Sequence, residues 1–244
     1  DIRVNHHYTG VSVLLHSFRH KGYWFHGRRR EQNTMEFFQQ AIQPGSCVIE
    51  VGGHIGYLTM YFADLVGPSG RVVVFEPGSN NLPYIRSNIS SLPQVTLVEK
   101  AVCAQDGTAQ FYEEELTGQN NSLDNNYHVF EQNCRRAFAK IEYQCRSVDT
   151  IRLDSFLASH EQVPLLLKID IEGGEYLALE GSKHTLATHR PIVMVEVTNQ
   201  KQEVYELFKD LGYLLFSDTG ESLRTSQELD FNTCALHPEY HEKL

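Results

Sequence analysis

Apolar residues occur along this chain mostly in short continuous runs, separated by segments with helical spacing. Runs of the kind shown by buried parallel strands lie at 47–51, 71–76, 95–99, 165–169 and 192–197. Segments with apolar residues at helical spacing lie at 56–66, 80–90 and 201–210. Two later runs, 212–216 and 229–236, indicate a closing antiparallel pair. The pattern predicts an α/β fold with a mostly parallel, seven-stranded sheet that ends in a C-terminal antiparallel hairpin.

Two segments fall outside this alternation. Residues 1–44 are rich in His, Tyr and Arg and hold one predicted helix, 34–42, which Pro44 and Gly45 terminate. We interpret 1–44 as an N-terminal cap or substrate-side extension, and 45–244 as the main domain. A long polar insert at 107–148 carries an Asn-rich stretch. Because such inserts in compact domains are usually functional, we predict that 115–135 forms a lid over a substrate site.

Composition limits the class of protein. The 244 residues, of which 41% are apolar, suffice for one large domain, and no apolar run reaches the 18 residues that a membrane span requires. The net charge of −10 argues against a nucleic acid as main partner. Five cysteines without metal-type spacing, and an N-terminus without a signal-peptide pattern, predict reduced thiols and a cytoplasmic location. The sequence leaves open whether the protein forms a homodimer.

The strongest basic cluster is the run Arg28–Arg30. Short charge runs usually remain solvated, so we interpret it as an exposed face before a helix. The alternative is a local anion-binding patch.

Chemically distinctive residues first appear around the turn after the strand 47–51. Gly52, Gly53 and Gly56 follow the strand directly, and Glu76 ends the next strand. Glycines permit close approach of a ligand to the backbone, and a carboxylate at the end of the second strand typically binds a ribose diol. The dinucleotide motif would require glycine at position 51, which is Val, and Glu50 would suit a pyrophosphate poorly. An adenosine cofactor with a positive charge and no phosphate, S-adenosylmethionine, fits better.

A second group of charged residues occupies the strand 165–169 and the turn after it. Lys168 and Asp170 lie two residues apart and therefore point to one face, and Glu172 and Glu175 follow. Buried charges are costly unless paired, so a functional site or a structural ion pair is expected. Parallel strands would bring this turn close to the end of strand 192–197. The oxygens predicted to meet there are those of a tentative site for Mg²⁺ or another divalent cation: Asp170, Glu172, Glu196 and Asn199.

Several of these segments resemble the FkbM-type methyltransferases. The resemblance covers about 45–236 and is carried by Val48–Gly56, Phe75–Pro77, Leu153–Phe156 and Leu167–Glu175. It implies a class I, Rossmann-like methyltransferase fold that uses S-adenosylmethionine. Family members usually methylate a hydroxyl of a sugar, glycolipid or polyketide-type small molecule. The main departure is His54, where the family usually has Asn, which places a titratable ring beside the cofactor.

The residues assigned to each role follow from both arguments. The predicted cofactor site contains Glu50, Gly52, Gly53, His54, Gly56, Tyr57, Glu76, Pro77, Ala101, Val102 and Asp170. The candidate catalytic groups are Asp170, Glu172, Lys168 and His54. Asn121, Ser122 and Glu175 are the candidates for binding a small-molecule or carbohydrate acceptor.

Two alternatives remain. An NAD-dependent Rossmann oxidoreductase would share the fold and Glu76 but fits the glycine positions poorly. A methyltransferase-like binding module without catalysis would retain the fold and have no need of the acidic residues.

Overall fold

The structure, a computed structural model, describes residues 1–123, 143–160, 163–229 and 232–241. Its strands are β1 Ile2–Asn5, β2 Ser12–Leu15, β3 Cys47–Val51, β4 Arg71–Phe75, β5 Val95–Val98, β6 Ala101–Val102, β7 Gly107–Glu114, β8 Tyr143–Ile151, β9 Leu166–Ile169, β10 Ile192–Val195, β11 Leu214–Phe216, β12 Ser222–Leu223 and β13 Thr233–Leu236. Its helices are α1 Lys21–Phe25, α2 Gln32–Ala41, α3 Tyr57–Val66, α4 Leu82–Ile89, α5 Leu153–Ala158, α6 Glu175–Glu180, α7 Lys183–His189, α8 Lys201–Asp210 and α9 Pro238–His241.

The central sheet has the order β12-β11-β13-β10-β9-β3-β4-β5. Strands β10, β9, β3, β4 and β5 are parallel, and β13, β11 and β12 continue the sheet in antiparallel pairing. The predicted mostly parallel α/β sheet with its C-terminal hairpin is confirmed. The predicted count of seven strands is one short among the described residues, because the two-residue strand β12 is too brief to give an apolar run.

Strand β3 lies between β4 and β9, within the parallel part of the sheet. Chain order reverses here, since β4 and β5 extend to one side and β9 and β10 to the other. Ligands of open α/β sheets bind outside the carboxyl ends of the strands at such a reversal. The topology therefore locates a candidate site at the turn that follows Val51.

Helix α3 is apolar nearly all round, which requires cover on both sides. Gly56 precedes it and Gly67 follows it, both at positive φ, so the helix begins and ends at residues without a Cβ. Phe62 and Val66 pack in the core against the sheet, while Tyr57 and Met60 pack with the hairpin β1–β2 through Val13 and Leu15. The N-terminal segment thus covers the outer face of α3.

Hydrogen bonds fasten this N-terminal hairpin. The Asn88 side chain accepts from the Leu14 backbone nitrogen over 2.7 Å and donates to the carbonyls of Leu14 and Ile55. The His6 ring stacks on Tyr57 at 3.9 Å between ring centroids, and its Nε2 lies 3.0 Å from the Tyr57 carbonyl. Residues 1–44 accordingly pack on the helices beside the sheet end; whether they form a separate unit, with 45–244 as the main domain, stays a prediction.

The insert between β5 and β9 forms a second, three-stranded sheet of order β6-β8-β7. Strands β7 and β8 pair antiparallel over eight residues, from Gly107 opposite Thr150 to Glu114 opposite Tyr143. The predicted lid over 115–135 is described only as far as Leu123, and its remainder lies outside the described residues.

No helix in the described part of the chain combines the length and the apolar character needed to cross a bilayer.

Candidate functional site

A cavity of about 300 Å³ opens at the carboxyl ends of β3, β4 and β9. Most of the predicted site residues line it: Glu50, Gly52, Gly53, His54, Tyr57, Glu76, Pro77, Ala101, Val102, Asn121, Lys168, Asp170, Glu172 and Glu196. Its volume lies at the lower end of the range found for small-molecule sites. These residues come from six separate segments of the chain, which therefore meet around one space.

The glycine turn forms the floor of the cavity. Gly52 has φ +94°, and a Cβ built on it would lie 1.9 Å from the backbone oxygen of Asp170. A Cβ on Gly53 would lie 2.3 Å from Cγ2 of Val74. Both backbone nitrogens donate to the carbonyl of Phe75, over 3.0 and 3.1 Å. Gly52 is needed because the turns after β3 and β9 touch through their backbones, and Gly53 is needed because the Val74 side chain occupies the space of a Cβ. Gly56 does not line the cavity and instead packs on Ile85.

Glu76 closes one side of this floor. Its Oε2 accepts from the His54 backbone nitrogen over 2.7 Å, and its Oε1 accepts from Gly78 over 2.8 Å and from Asn81 over 3.2 Å. Burial raises the pKa of Glu76 to about 7, even though these three donors favour the charged form. The carboxylate is therefore held in a fixed orientation at the cavity wall.

The ring of His54 is held on both nitrogens. Nδ1 lies 3.0 Å from the Tyr23 hydroxyl and Nε2 lies 3.1 Å from the Thr117 carbonyl. A carbonyl can only accept, so Nε2 carries the proton and Nδ1 accepts from Tyr23. Burial, with His20 nearby, lowers the pKa of His54 to about 3, so the ring is neutral. With both nitrogens engaged, His54 serves to join the N-terminal segment to the 117–119 turn, which argues against it as the catalytic base.

Two charged residues face each other across neighbouring strands inside the sheet. Glu50 of β3 pairs in register with Lys168 of β9, and both are almost fully buried. The Thr59 hydroxyl donates to Oε2 of Glu50 over 2.6 Å, and burial raises the pKa of Glu50 to about 7. Burial opposes the charge on Lys168, but Asp170 and Glu50 outweigh it and the pKa of Lys168 lies above its usual value. The lysine remains a cation under the cavity.

Asp170 directly follows β9, with 34% of its side chain exposed. Nζ of Lys168 donates to its Oδ2 over 2.8 Å. Burial alone would raise the pKa of Asp170, yet the adjacent Lys168 holds it below the usual value. Burial and the neighbouring Asp170 and Glu172 together raise the pKa of Glu196 well above its usual range. Asp170 is therefore ionised, and the neighbouring Glu196 is protonated.

Three of the four predicted metal ligands come together. Carboxylate oxygens of Asp170, Glu172 and Glu196 lie within 4.8 Å of one another. Asn199, the fourth, does not line the cavity, and its Nδ2 donates to the carbonyl of Gly173 over 3.0 Å. Its place beside the acids stays a prediction.

Two residues that were predicted to bind the acceptor make hydrogen bonds within the protein. Glu175 is 1% exposed, does not line the cavity, and accepts from the Gly173 nitrogen over 2.8 Å. Ser122 is also buried, and its hydroxyl donates to the Glu172 carbonyl over 2.6 Å. Glu172 has φ +54°, which is strained for a residue with a Cβ, so both contacts stabilise the turn that presents it. An acceptor contact by either residue stays a prediction.

Asn121 lines the cavity but already has partners for its amide. It accepts from the Glu114 nitrogen over 2.9 Å and donates to Asn80 over 2.7 Å. An acceptor contact by Asn121 therefore stays a prediction, and it would have to share these hydrogen bonds.

The N-terminal segment, which the sequence suggested as a cap or substrate-side extension, supplies a wall of the cavity. Tyr23, Arg30, Glu31 and Met35 all line it. The Arg30 guanidinium lies 4.5 Å from the centroid of the Tyr23 ring and forms an ion pair with Glu31 at 3.1 Å. Of the run Arg28–Arg30, then, Arg28 and Arg29 are exposed as expected and Arg30 is not. The alternation of Tyr, His and Arg in this segment was the available signal.

Other residues, which were not predicted from the sequence to do so, also line the cavity. They are Leu58, Phe75, Asn81, Lys100, Phe111, Gly118, Gln119, Leu123, Ile171 and Gly174.

Known proteins share parts of this sequence and fold. A protein-L-isoaspartate O-methyltransferase of Triticum aestivum is 33% identical over 78 residues, which is 32% of this chain and 31% of the wheat protein. The solved FkbM methyltransferase from Methylobacillus flagellatus has a TM-score of 0.49 at 15% identity, over 82% of this chain and 50% of that one. A precorrin-6y C5,15-methyltransferase from Geobacter metallireducens has a TM-score of 0.48 at 13% identity, over 86% and 88%. This chain spans under a third of the wheat protein and half of the Methylobacillus one.

The family comparison covers much more of the chain. The model of the methyltransferase FkbM domain matches residues 50–217, which hold the glycine turn, Glu76 and the acids after β9. These are the segments whose backbones and side chains meet around the cavity. The chain therefore belongs to the FkbM family of S-adenosylmethionine-dependent methyltransferases.

Proposed function

We propose that this protein transfers the methyl group of S-adenosylmethionine to a hydroxyl of a sugar, glycolipid or polyketide-type small molecule. The observation that carries the proposal is the position of Glu76 and Asp170 on one cavity. Glu76 is a fixed, buried carboxylate suited to a diol, and Asp170 is a partly open carboxylate suited to accept a proton. A cofactor site and a base thus lie on the walls of the same space.

The residues around the glycine turn fit the cofactor. A carboxylate has about four lone-pair positions, and three donors already occupy Glu76, which leaves room for a ribose hydroxyl. Gly52 and Gly53 leave backbone open at the cavity floor, and Glu50 offers a negative charge to an ammonium group. Ala101 and Val102 supply an apolar surface for the adenine. The bound cofactor would supply an electrophilic methyl group on a sulfonium.

The acceptor side is formed by the acids after β9 and by the N-terminal segment. Asp170 stays ionised beside Lys168 and can take the proton of an attacking hydroxyl. Glu172 and Asn121 line the same space and can bind further hydroxyls of a polar acceptor. Tyr23 and Arg30 close the side opposite the sheet, which keeps water from the reacting atoms.

A divalent cation is the alternative to Asp170 as base. The oxygens of Asp170, Glu172 and Glu196 are of the type that Mg²⁺ binds, and an ion there would lower the pKa of a bound hydroxyl. Lys168 already neutralises Asp170, so the group does not require an ion for charge balance. Chelation distinguishes the two.

Direct binding and turnover measurements test the proposal. Calorimetry should show that S-adenosylhomocysteine binds and that NAD does not. Incubation with S-adenosylmethionine and a panel of sugars, polyols and glycolipids should add one methyl mass to an acceptor. Binding of NAD instead would favour the oxidoreductase alternative. Binding of the cofactor without transfer to any acceptor class would favour the non-catalytic module.

A further inference from the structure

The N-terminal segment has a charge opposite to that of the rest of the chain. Residues 1–30 contain six of the 21 Lys and Arg residues but only one of the 31 Asp and Glu residues. They carry a net charge of +5, whereas the other residues carry −15. Such an asymmetry orients a molecule in front of a negative surface, with the basic end toward it.

Exposed apolar side chains are concentrated in the same segment. Among the described residues the large hydrophobic side chains left open to solvent are Ile2, Val11, Phe18, Trp24, Phe25, Val163, Leu214 and Tyr240. Five of these eight precede residue 26. Phe18 and Phe25 are the most exposed of all, at 69% and 63%. Exposed aromatic residues in such a group mark interaction sites more often than chance surface residues do.

The exposed aromatic residues Phe18, Trp24 and Phe25 belong to one compact turn, residues 17–29, which we name the aromatic turn. Nε1 of Trp24 donates to the Ser17 carbonyl over 2.9 Å, which ties the middle of the turn to its start. The ammonium of Lys21 lies 5.0 Å from the ring centroid of Phe25. Aromatic rings and basic groups are thus held side by side, with Arg29 exposed at the end of the turn.

The aromatic turn lies at the edge of the cavity. Tyr23, within the turn, and Arg30, directly after it, both line the cavity. Trp24 and Phe25, next to Tyr23, point to solvent instead. Whatever the exposed side of the turn contacts is therefore brought close to the cavity wall.

We propose that the aromatic turn docks this protein on the surface of an anionic lipid bilayer. Aromatic rings beside Lys and Arg are the composition of interfacial anchors, in which the rings enter the headgroup region and the cations pair with phosphates. A soluble polyanion would use the charges and leave the exposed rings in water, so the rings favour a bilayer. Docking does not depend on the proposed activity. The consequence that a glycolipid acceptor would reach the cavity from the bilayer does rest on the proposed function.

Vesicle flotation tests the docking without cofactor or acceptor. The whole chain is mixed with phosphatidylcholine vesicles that do or do not contain phosphatidylglycerol, at low and at high salt. Binding is expected to the anionic vesicles only and to weaken with salt. Phe18→Ser with Phe25→Ser, and separately Lys21→Glu with Arg29→Glu, should each weaken binding about tenfold or more. None of these four residues lines the cavity, so S-adenosylhomocysteine affinity should stay unchanged.

The matched control is Leu214→Ser with Lys209→Glu, which changes an exposed apolar residue and a charge on another part of the surface. This control should bind vesicles like the parent protein, and thermal melting should show that all variants fold. Equal binding to neutral and anionic vesicles, no binding to either, or an equal loss in the control variant would each overturn the proposal. So would binding to heparin that is as tight as to vesicles and insensitive to loss of the two phenylalanines. Loss of docking with methyl transfer to soluble acceptors retained would support docking and leave the proposed function intact.

Discussion

The backbone nitrogen of His54 lies 2.7 Å from Oε2 of Glu76, so the glycine turn itself orients the carboxylate at the end of β4. Gly78 and Asn81 hold the other oxygen from the opposite side. The position of Glu76 is thus fixed by backbone, and a ligand that needs this carboxylate meets it already in place.

Glu76→Gln should weaken binding of S-adenosylhomocysteine by about 1–3 kcal/mol, because the amide NH₂ would face N–H donors and a ligand hydroxyl would lose its acceptor. The parent protein should also bind more tightly as pH rises from 6 to 8. The pKa of Glu76 is about 7, and the ionised form is the one that accepts hydroxyl hydrogen bonds. Calorimetry at several pH values measures both effects. Equal affinity of parent and variant at pH 8 would remove Glu76 from the cofactor site.

Gly52→Ala should destabilise the protein by several kcal/mol, because its Cβ would lie 1.9 Å from the Asp170 carbonyl and φ is +94°. Gly67→Ala is the matched control, since Gly67 also has positive φ but nothing within 4 Å of its Cβ. The control should cost less, about 1–3 kcal/mol for its backbone conformation alone. Chemical denaturation compares the two variants. Similar losses in both would mean that backbone conformation, rather than the contact with the turn after β9, makes Gly52 necessary.

His54→Asn should change how stability depends on pH. The pKa of His54 is lowered to about 3 in the folded protein, so its contribution to stability is present above pH 6.5 and is lost as pH falls toward 3. Asn cannot take up a proton. Between pH 7.5 and 5 the free energy of unfolding of the parent protein should therefore fall by about 2 kcal/mol relative to that of the variant. His184→Asn, the same substitution at an exposed position, controls for the exchange itself. Parallel curves for His54→Asn would mean that the ring does not remain neutral in the fold.

Asp170→Asn should lower the turnover rate about a hundredfold or more, while the affinity for the cofactor changes little. Glu172→Gln is the control on the same turn and should lose less, because Glu172 is assigned a binding contact and not the proton transfer. A single-turnover assay with saturating cofactor measures the difference. If Glu172→Gln is the more damaging change, the roles of the two acids are reversed.

Exhaustive chelation should leave the activity of the parent protein intact, because Lys168 already pairs with Asp170 at 2.8 Å. Activity is measured after treatment with chelator and again after addition of Mg²⁺ or Mn²⁺. Loss followed by recovery would show that the acids bind a cation and would make Asp170 a ligand instead of the base.

Much of this arrangement could be predicted because parallel strands impose it. Continuous apolar runs located β3, β4, β9 and β10, and a parallel sheet necessarily brings their ends to one edge. The residues directly at those ends, such as Glu76 and Asp170, were therefore found from sequence. The hydrogen bonds of residues nearby could not be foreseen: Asn199 and Glu175 bond to the backbone of Gly173, and neither lines the cavity.

The N-terminal wall escaped prediction for another reason. Tyr23 and Arg30 lie far along the chain from the sheet edge and reach it through packing of the hairpin on α3, which no local pattern encodes. The environment of His54 likewise could not be predicted from a local pattern. Its type suggested a base, but its environment, with a hydroxyl on one nitrogen and a carbonyl on the other, makes it a neutral connector.

The small sheet leaves the main fold beside Ala101 and returns beside Thr150, which pair directly. Between these two points the chain also bonds to the main fold, through Glu113 with Ser79, Thr117 with His54 and Ser122 with Glu172. The free-energy cost of closing a loop rises only slowly with its length. Insertions or deletions that follow Ser122 and precede β8 can therefore leave these bonds, and the register of β3 with β9, unchanged. We expect acceptor preference to diversify there, independently of the site that Glu76 and the glycine turn provide.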